Sequence, residues 1–207
     1  MQTESSGRLI NHKVMRQVVG IIALALSPVV WILSGEHALT SISISYWIDA
    51  RDAFVGSLIA VGFFLSAYNG TGKGRDWEYY LSKMAGVFAI GIAFFPTDGF
   101  RQEDLPSAWV VSIAKSLGLV PEYIHNGAAI LLFVCLIVLM WFFSGRAMEK
   151  NKPGRAYFYR GVSILMAAGI TGLLLVKEVF WAEVWGLTLF GIGWLVAGSY
   201  KSEYQTS

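Results

Sequence analysis

The side chains whose types and positions could do chemistry are few: His125, Asp98, Arg51, Asp52, Asp49 and Lys177. His125 opens an apolar stretch in Ile124-His125-Asn126-Gly127, and Asp98 closes another in Phe95-Pro96-Thr97-Asp98. A histidine in the first turn of a helix feels the positive dipole end, which favours a neutral imidazole able to donate, accept or bind a metal. Asp98 is the natural partner, either as a carboxylate that orients the ring or as a second ligand. Together they read as an acid–base pair or as a structural clasp between two helix ends. Asp49, Arg51 and Asp52 crowd another helix start, where Arg51 could hold a phosphate or headgroup beside a carboxylate. There the structural alternative is that Asp49 caps the helix, Asp52 sits in its first turn and Arg51 pairs with a neighbour. Lys177 stands beside Glu178, Trp181, Glu183 and Trp185, and reads as a substrate contact or as a snorkelling anchor.

Zinc chemistry needs three protein ligands. His37 with His125 and Asp98 is the set this chain offers, since His12 falls on the opposite side of the membrane in the topology below. There is no HExxH and no GxSxG, so neither a zincin nor a serine hydrolase elbow is present. No cofactor is expected, with zinc as the alternative. The single cysteine, Cys135, lies inside an apolar stretch and excludes an intrachain disulfide.

The elements that must position these residues are six apolar stretches, at about 17–34, 53–68, 79–95, 124–143, 157–176 and 184–200. Most approach the ~20 residues that cross a ~30 Å hydrocarbon core. With 55% hydrophobic and 14% charged residues, the composition excludes an ordinary soluble domain. The fold expected is all-α: a polytopic integral membrane protein, one domain over residues 1–207, with six transmembrane helices in one bundle. Twelve of the sixteen Lys and Arg residues fall on alternate connections, if those near helix ends are counted with the adjoining connection. Arg51, Arg101, Lys115 and Lys177 are left for the other side. The positive-inside rule then predicts a multi-pass protein of the cell inner (plasma) membrane with both termini cytoplasmic. His125, Asp98, Arg51, Asp52, Asp49 and Lys177 then all lie on the outer face. The net charge of +2 is spread over connections without a basic, aromatic-lined groove, which excludes nucleic acid as a partner.

Between the third and fourth membrane helices, Leu105–Val120 predicts an amphipathic helix at the outer interface, with Trp109, Val110, Ile113, Leu117 and Val120 as its apolar stripe. Pro28 predicts a kink in the first helix. Small residues at four-residue spacing, namely Ala85, Ala89 and Ala93, Gly56 and Ala60, and Ala168 and Gly172, predict close helix crossings.

The Ser41–Tyr46 stretch, the Arg51-Asp52-x-Phe54-Val55-Gly56 entry to the second helix, the Phe95-Pro96-Thr97-Asp98 exit and His125 resemble small bacterial six-helix membrane proteins of unknown function, distantly similar to the eukaryotic DRAM-type membrane family. The resemblance spans the first five helices and implies a six-helix fold with the same outer residues, and no particular reaction. A more remote similarity is to intramembrane hydrolases such as alkaline ceramidases, which implies Ser, Asp and His around zinc; this chain lacks their late paired histidines and seventh helix. Two functions follow as expectations. One is a non-enzymatic component binding membrane lipids or another membrane protein. The other is a small intramembrane hydrolase or transferase acting on a lipid or lipid-linked substrate.

Overall fold

The computed structural model describes residues 12–35, 38–70, 76–97 and 109–199. These form seven α-helices and one 3₁₀ helix: α1 His12–Leu33, a 3₁₀ helix Ile42–Trp47, α2 Arg51–Ala67, α3 Trp77–Phe94, α4 Trp109–Ser116, α5 Pro121–Glu149, α6 Pro153–Leu175 and α7 Val179–Ser199. The fold is all-α. Four helices are long and apolar enough to cross a membrane: Lys13–Leu33, Pro121–Glu149, Pro153–Leu175 and Val179–Ser199. Helix α2 has 17 residues, and α3 has 18 with Glu78 and Lys83 in its first two turns.

Each of the six long helices extends past its apolar run at one end at least, because the local capping chemistry lies in the polar flanks. Asp76 Oδ1 accepts from the Tyr79 N–H at 2.8 Å and starts α3 two residues before its apolar run. Pro121 and Pro153 open α5 and α6, where the missing N–H costs nothing. Helix α6 ends with Lys177 in the left-handed region (φ 65°); its N–H donates to Leu174 O at 3.0 Å, and the Glu178 N–H donates to Leu173 O at 2.9 Å. Asn151 (φ 52°) turns the chain in the same way after α5.

The six long helices close into a ring, α1–α2–α3–α5–α6–α7, with α7 packing back on α1. Consecutive helices alternate in direction, so α1, α3 and α6 start at the end of the bundle where α2, α5 and α7 finish. That end carries Arg16, Tyr68, Glu78 and Arg146; the opposite end carries the 3₁₀ helix and α4. The core is aromatic toward the first end. Trp194 lies between Tyr68, Phe143 and Phe190, with ring centroids 5.6, 5.2 and 5.1 Å away, and Tyr159 meets Phe143 edge-on at 5.6 Å.

Two ring contacts depend on glycine. A Cβ on Gly62 of α2 would lie 2.7 Å from Ile90 Cγ1 and 2.9 Å from Gly86 O of α3. On the other side of the ring, a Cβ on Gly20 or on Gly191 would lie 3.0 Å from the other's carbonyl oxygen. Ala85, Ala89 and Ala93 are buried as their spacing implies. Gly56 and Gly172 are not at crossings: a Cβ there meets nothing within 4 Å. Four-residue spacing marks one face of a helix, and which face meets a neighbour is set by the larger side chains around it.

Mid-helix side chains such as Ile21, Phe63, Val87, Ile130, Val134 and Ile164 point outward and are exposed. So are Trp31, Trp109, Tyr123 and Trp181 toward one end and Trp77, Tyr80 and Tyr157 toward the other. Apolar mid-sections between aromatic girdles are the arrangement lipid favours, and the four long helices suggest a multi-pass membrane protein.

Helix α4 ends at Ser116, four residues before the end of the expected Leu105–Val120 helix, and residues 98–108 lie outside the described residues. It packs on α5 through Val111 and Ala114 and leaves Trp109, Ile113 and Leu117 exposed. The expected stripe therefore faces away from the bundle.

Candidate functional site

The serine-rich segment Ser41–Tyr46 is helical from Ile42 on, where it belongs to the 3₁₀ helix. Ser41 caps it, its Oγ accepting from the Ile44 N–H at 3.2 Å, and Ile42, Ser43, Ser45 and Tyr46 turn inward. Glu183 of α7 holds the same start: its carboxylate accepts from the Ile42 N–H, and from Ser43 Oγ at 3.2 Å. A buried 3₁₀ start leaves its N–H groups without partners, and a carboxylate from the adjacent helix satisfies them.

Asp49 does not cap α2. The N-cap is Ala50, with αR dihedrals (φ −74°, ψ −1°) and no side-chain cap bond; between the 3₁₀ helix and α2 the chain is extended at Ile48 (φ −130°, ψ −179°) and turns at 49–50. Capping by Asp49 would need an extended residue at that point. Asp49 and Asp52 are both exposed. Arg51 turns back onto Tyr46, donating from Nη2 to its hydroxyl at 3.2 Å, with Cζ 4.5 Å from the ring centroid. Trp47, edge-on to Tyr46, donates from Nε1 to Thr97 O at 2.8 Å, which ties the 3₁₀ helix to the exit of α3.

His125 is 1% exposed, and its Nδ1 lies 2.7 Å from Phe95 O. A carbonyl only accepts, so the proton sits on Nδ1 and Nε2 carries the lone pair. Nε2 is buried and has no hydrogen-bond partner among the described residues. His125 thus fastens the start of α5 to the end of α3 through a backbone carbonyl. Asp98 and His37 lie outside the described residues, so the His125–Asp98 pair and the His37-based ligand set do too. Among the described residues no three His, Cys, Asp or Glu side chains group as metal ligands.

The structure therefore joins Arg51, Tyr46, Trp47, the 95–97 exit of α3 and His125 in one line of contacts. Lys177 is exposed at the C-terminal end of α6, which stands across the ring from α2, and it is not part of that line.

The opposite end carries a network that the spacing of residues did not point to. Arg146 of α5 donates from Nη1 to Glu78 Oε2 at 2.8 Å and to Tyr68 OH at 3.2 Å. Tyr68 OH donates to the same Glu78 oxygen at 3.1 Å. Arg16 of α1 reaches Tyr68 OH at 3.4 Å and, through Nη1, Ala197 O of α7 at 3.3 Å. Four side chains thus join α1, α3, α5, α7 and the end of α2. Lys83 adds a further tie, donating to Ser66 O and, at 2.9 Å, to Tyr68 O. The available signal was Glu78, an acid on the side where basic residues dominate. A small recess beside the network, lined by Met15, Arg16, Val19, Phe64, Tyr68 and Trp194, has room for about one water molecule.

No protein-family model, curated protein or solved structure matches this chain.

Proposed function

We propose that the chain is a six-helix integral component of the cell inner membrane, both termini cytoplasmic, that binds lipid or a partner membrane protein and does not transform a substrate. The ring supports six spans. Helices α2 and α3 stand between α1 and α5, so they share whatever slab those two cross. At 17 and 18 residues they are about 26 Å long, close to a ~30 Å hydrocarbon core. The charges of α3 are dealt with at one end, Glu78 by Arg146 and Lys83 by the carbonyls that close α2. The end carrying the network also carries the basic excess, which supports a cytoplasmic position for it.

One observation carries the non-enzymatic reading: the described polar groups of the outer line are committed to partners in the chain. Arg51 is spent on Tyr46, Trp47 on Thr97, His125 Nδ1 on Phe95, and Glu183 on Ile42 and Ser43. A catalytic set converges instead on a cavity that admits substrate. The intramembrane hydrolase retains one supporting observation, the buried lone pair of His125 Nε2.

Native mass spectrometry of gently solubilised protein, with elemental analysis, separates the two. Co-purifying phospholipid without stoichiometric metal is the expected result. Stoichiometric zinc that disappears in His125→Ala would replace this reading with the hydrolase.

A further inference from the structure

Arg16, Arg51 and Arg146 each donate to an oxygen of the chain, but Arg160 of α6 donates to none among the described residues. Its Nε is buried without a partner, and its one contact among the described residues is the ring of Trp141 on α5, with Cζ 5.1 Å from the centroid. A guanidinium carries five N–H donors, and in hydrocarbon an unmatched cation is costly.

The surroundings indicate what matches it. Arg160 is seven residues into α6, about 10 Å from its start, and Trp141 is eight residues from the end of α5, about 12 Å from it. Both therefore lie near the boundary between headgroups and acyl chains at the same end of the bundle. Side chains lean toward the N-terminus of their helix, and α6 begins at this end, so Arg160 leans toward the headgroups. Tyr157 and Ile164 share its face of α6; Val134 and Met148 share that of Trp141 on α5, and all four are exposed. The aromatic ring holds the planar guanidinium on the lipid-facing surface, with an apolar strip running down both helices below it.

We infer that Arg160 and Trp141 form a binding site for the phosphate of an anionic phospholipid, whose acyl chains lie along Ile164 and Val134. The site rests on the reading that α5 and α6 span a membrane. The lipid phosphate supplies the acceptors that the described residues do not, and the guanidinium engages it with two parallel hydrogen bonds. Lys150 and Lys152, exposed in the turn between the helices, add attraction for negative headgroups without fixing a position.

The test is native mass spectrometry of the full chain in detergent, titrated with phosphatidylglycerol and separately with phosphatidylcholine. Wild type is expected to retain one phosphatidylglycerol about tenfold more tightly than phosphatidylcholine, and Arg160→Gln to lose that preference, as for a charge-assisted contact. Lys152→Gln is expected to keep it. Equal retention by Arg160→Gln and wild type overturns the site, and so does an equal loss in Lys152→Gln, which would mean diffuse charge. If Arg160→Gln does not fold, Trp141→Leu replaces it: reduced phosphatidylglycerol retention supports the site, and wild-type retention overturns it. A protein recovered in solution without detergent would fail the membrane reading itself, whereas a detergent-requiring protein in which Arg160→Gln behaves as wild type would fail only the site.

Discussion

Arg146 Nη1 lies 2.8 Å from Glu78 Oε2, which makes an ion pair between the last turn of α5 and the first turn of α3. Their side chains are 20% and 7% exposed, so the pair is mostly removed from water. Removing one partner of such a pair leaves an uncompensated charge. Arg146→Met should cost about 3 kcal/mol, the lower end of the range for buried pairs because Arg146 keeps some solvent contact. The double substitution Glu78→Leu with Arg146→Met should recover most of that loss. Thermal unfolding in detergent of the two single variants and the double variant checks the coupling.

His125→Ala removes the donor to Phe95 O and leaves a carbonyl without its partner in the wall between α3 and α5. A loss of about 1–3 kcal/mol is expected. Lipid content measured on the same purified variant should be unchanged, because the ring is used internally.

Gly62 and Gly56 sit six residues apart on α2 and should respond oppositely to alanine. At Gly62 the new methyl carbon meets Ile90 and the Gly86 carbonyl and must push the helices apart, so the melting temperature should fall. At Gly56 it meets nothing, and the better helix propensity of alanine should hold or raise stability, by up to about 1 kcal/mol.

Glu183→Leu deletes the acceptor for Ile42 and Ser43. Amide exchange over residues 42–47 should accelerate, while the middle of α7 stays protected. Unchanged protection at 42–47 would mean that Ser41 alone holds the 3₁₀ helix.

The long apolar runs were legible because hydrophobic periodicity and length are local properties, and α1, α5, α6 and α7 appear where the runs lie. The burial of Ala85, Ala89 and Ala93 was legible for the same reason. The 3₁₀ helix Ile42–Trp47 was not legible in its alternating serines, because what holds its start is Glu183, 140 residues away. Arg51 was expected to pair with a neighbour and does, through the ring and hydroxyl of Tyr46. The Tyr68–Glu78–Arg146–Arg16 network was illegible: its members come from four separate segments, and only the ring brings them together.

The proposed orientation of the bundle is best tested by labelling single cysteines with a membrane-impermeant maleimide in intact cells. In a Cys135→Ser background, cysteine replaces Lys177 in one variant and Lys150 in another; both positions are exposed at opposite ends of the ring. The Lys177 position should label from outside and the Lys150 position only after the membrane is opened. Labelling of both from outside, or of Lys150 alone, would contradict a bundle whose ionic end faces the cytoplasm.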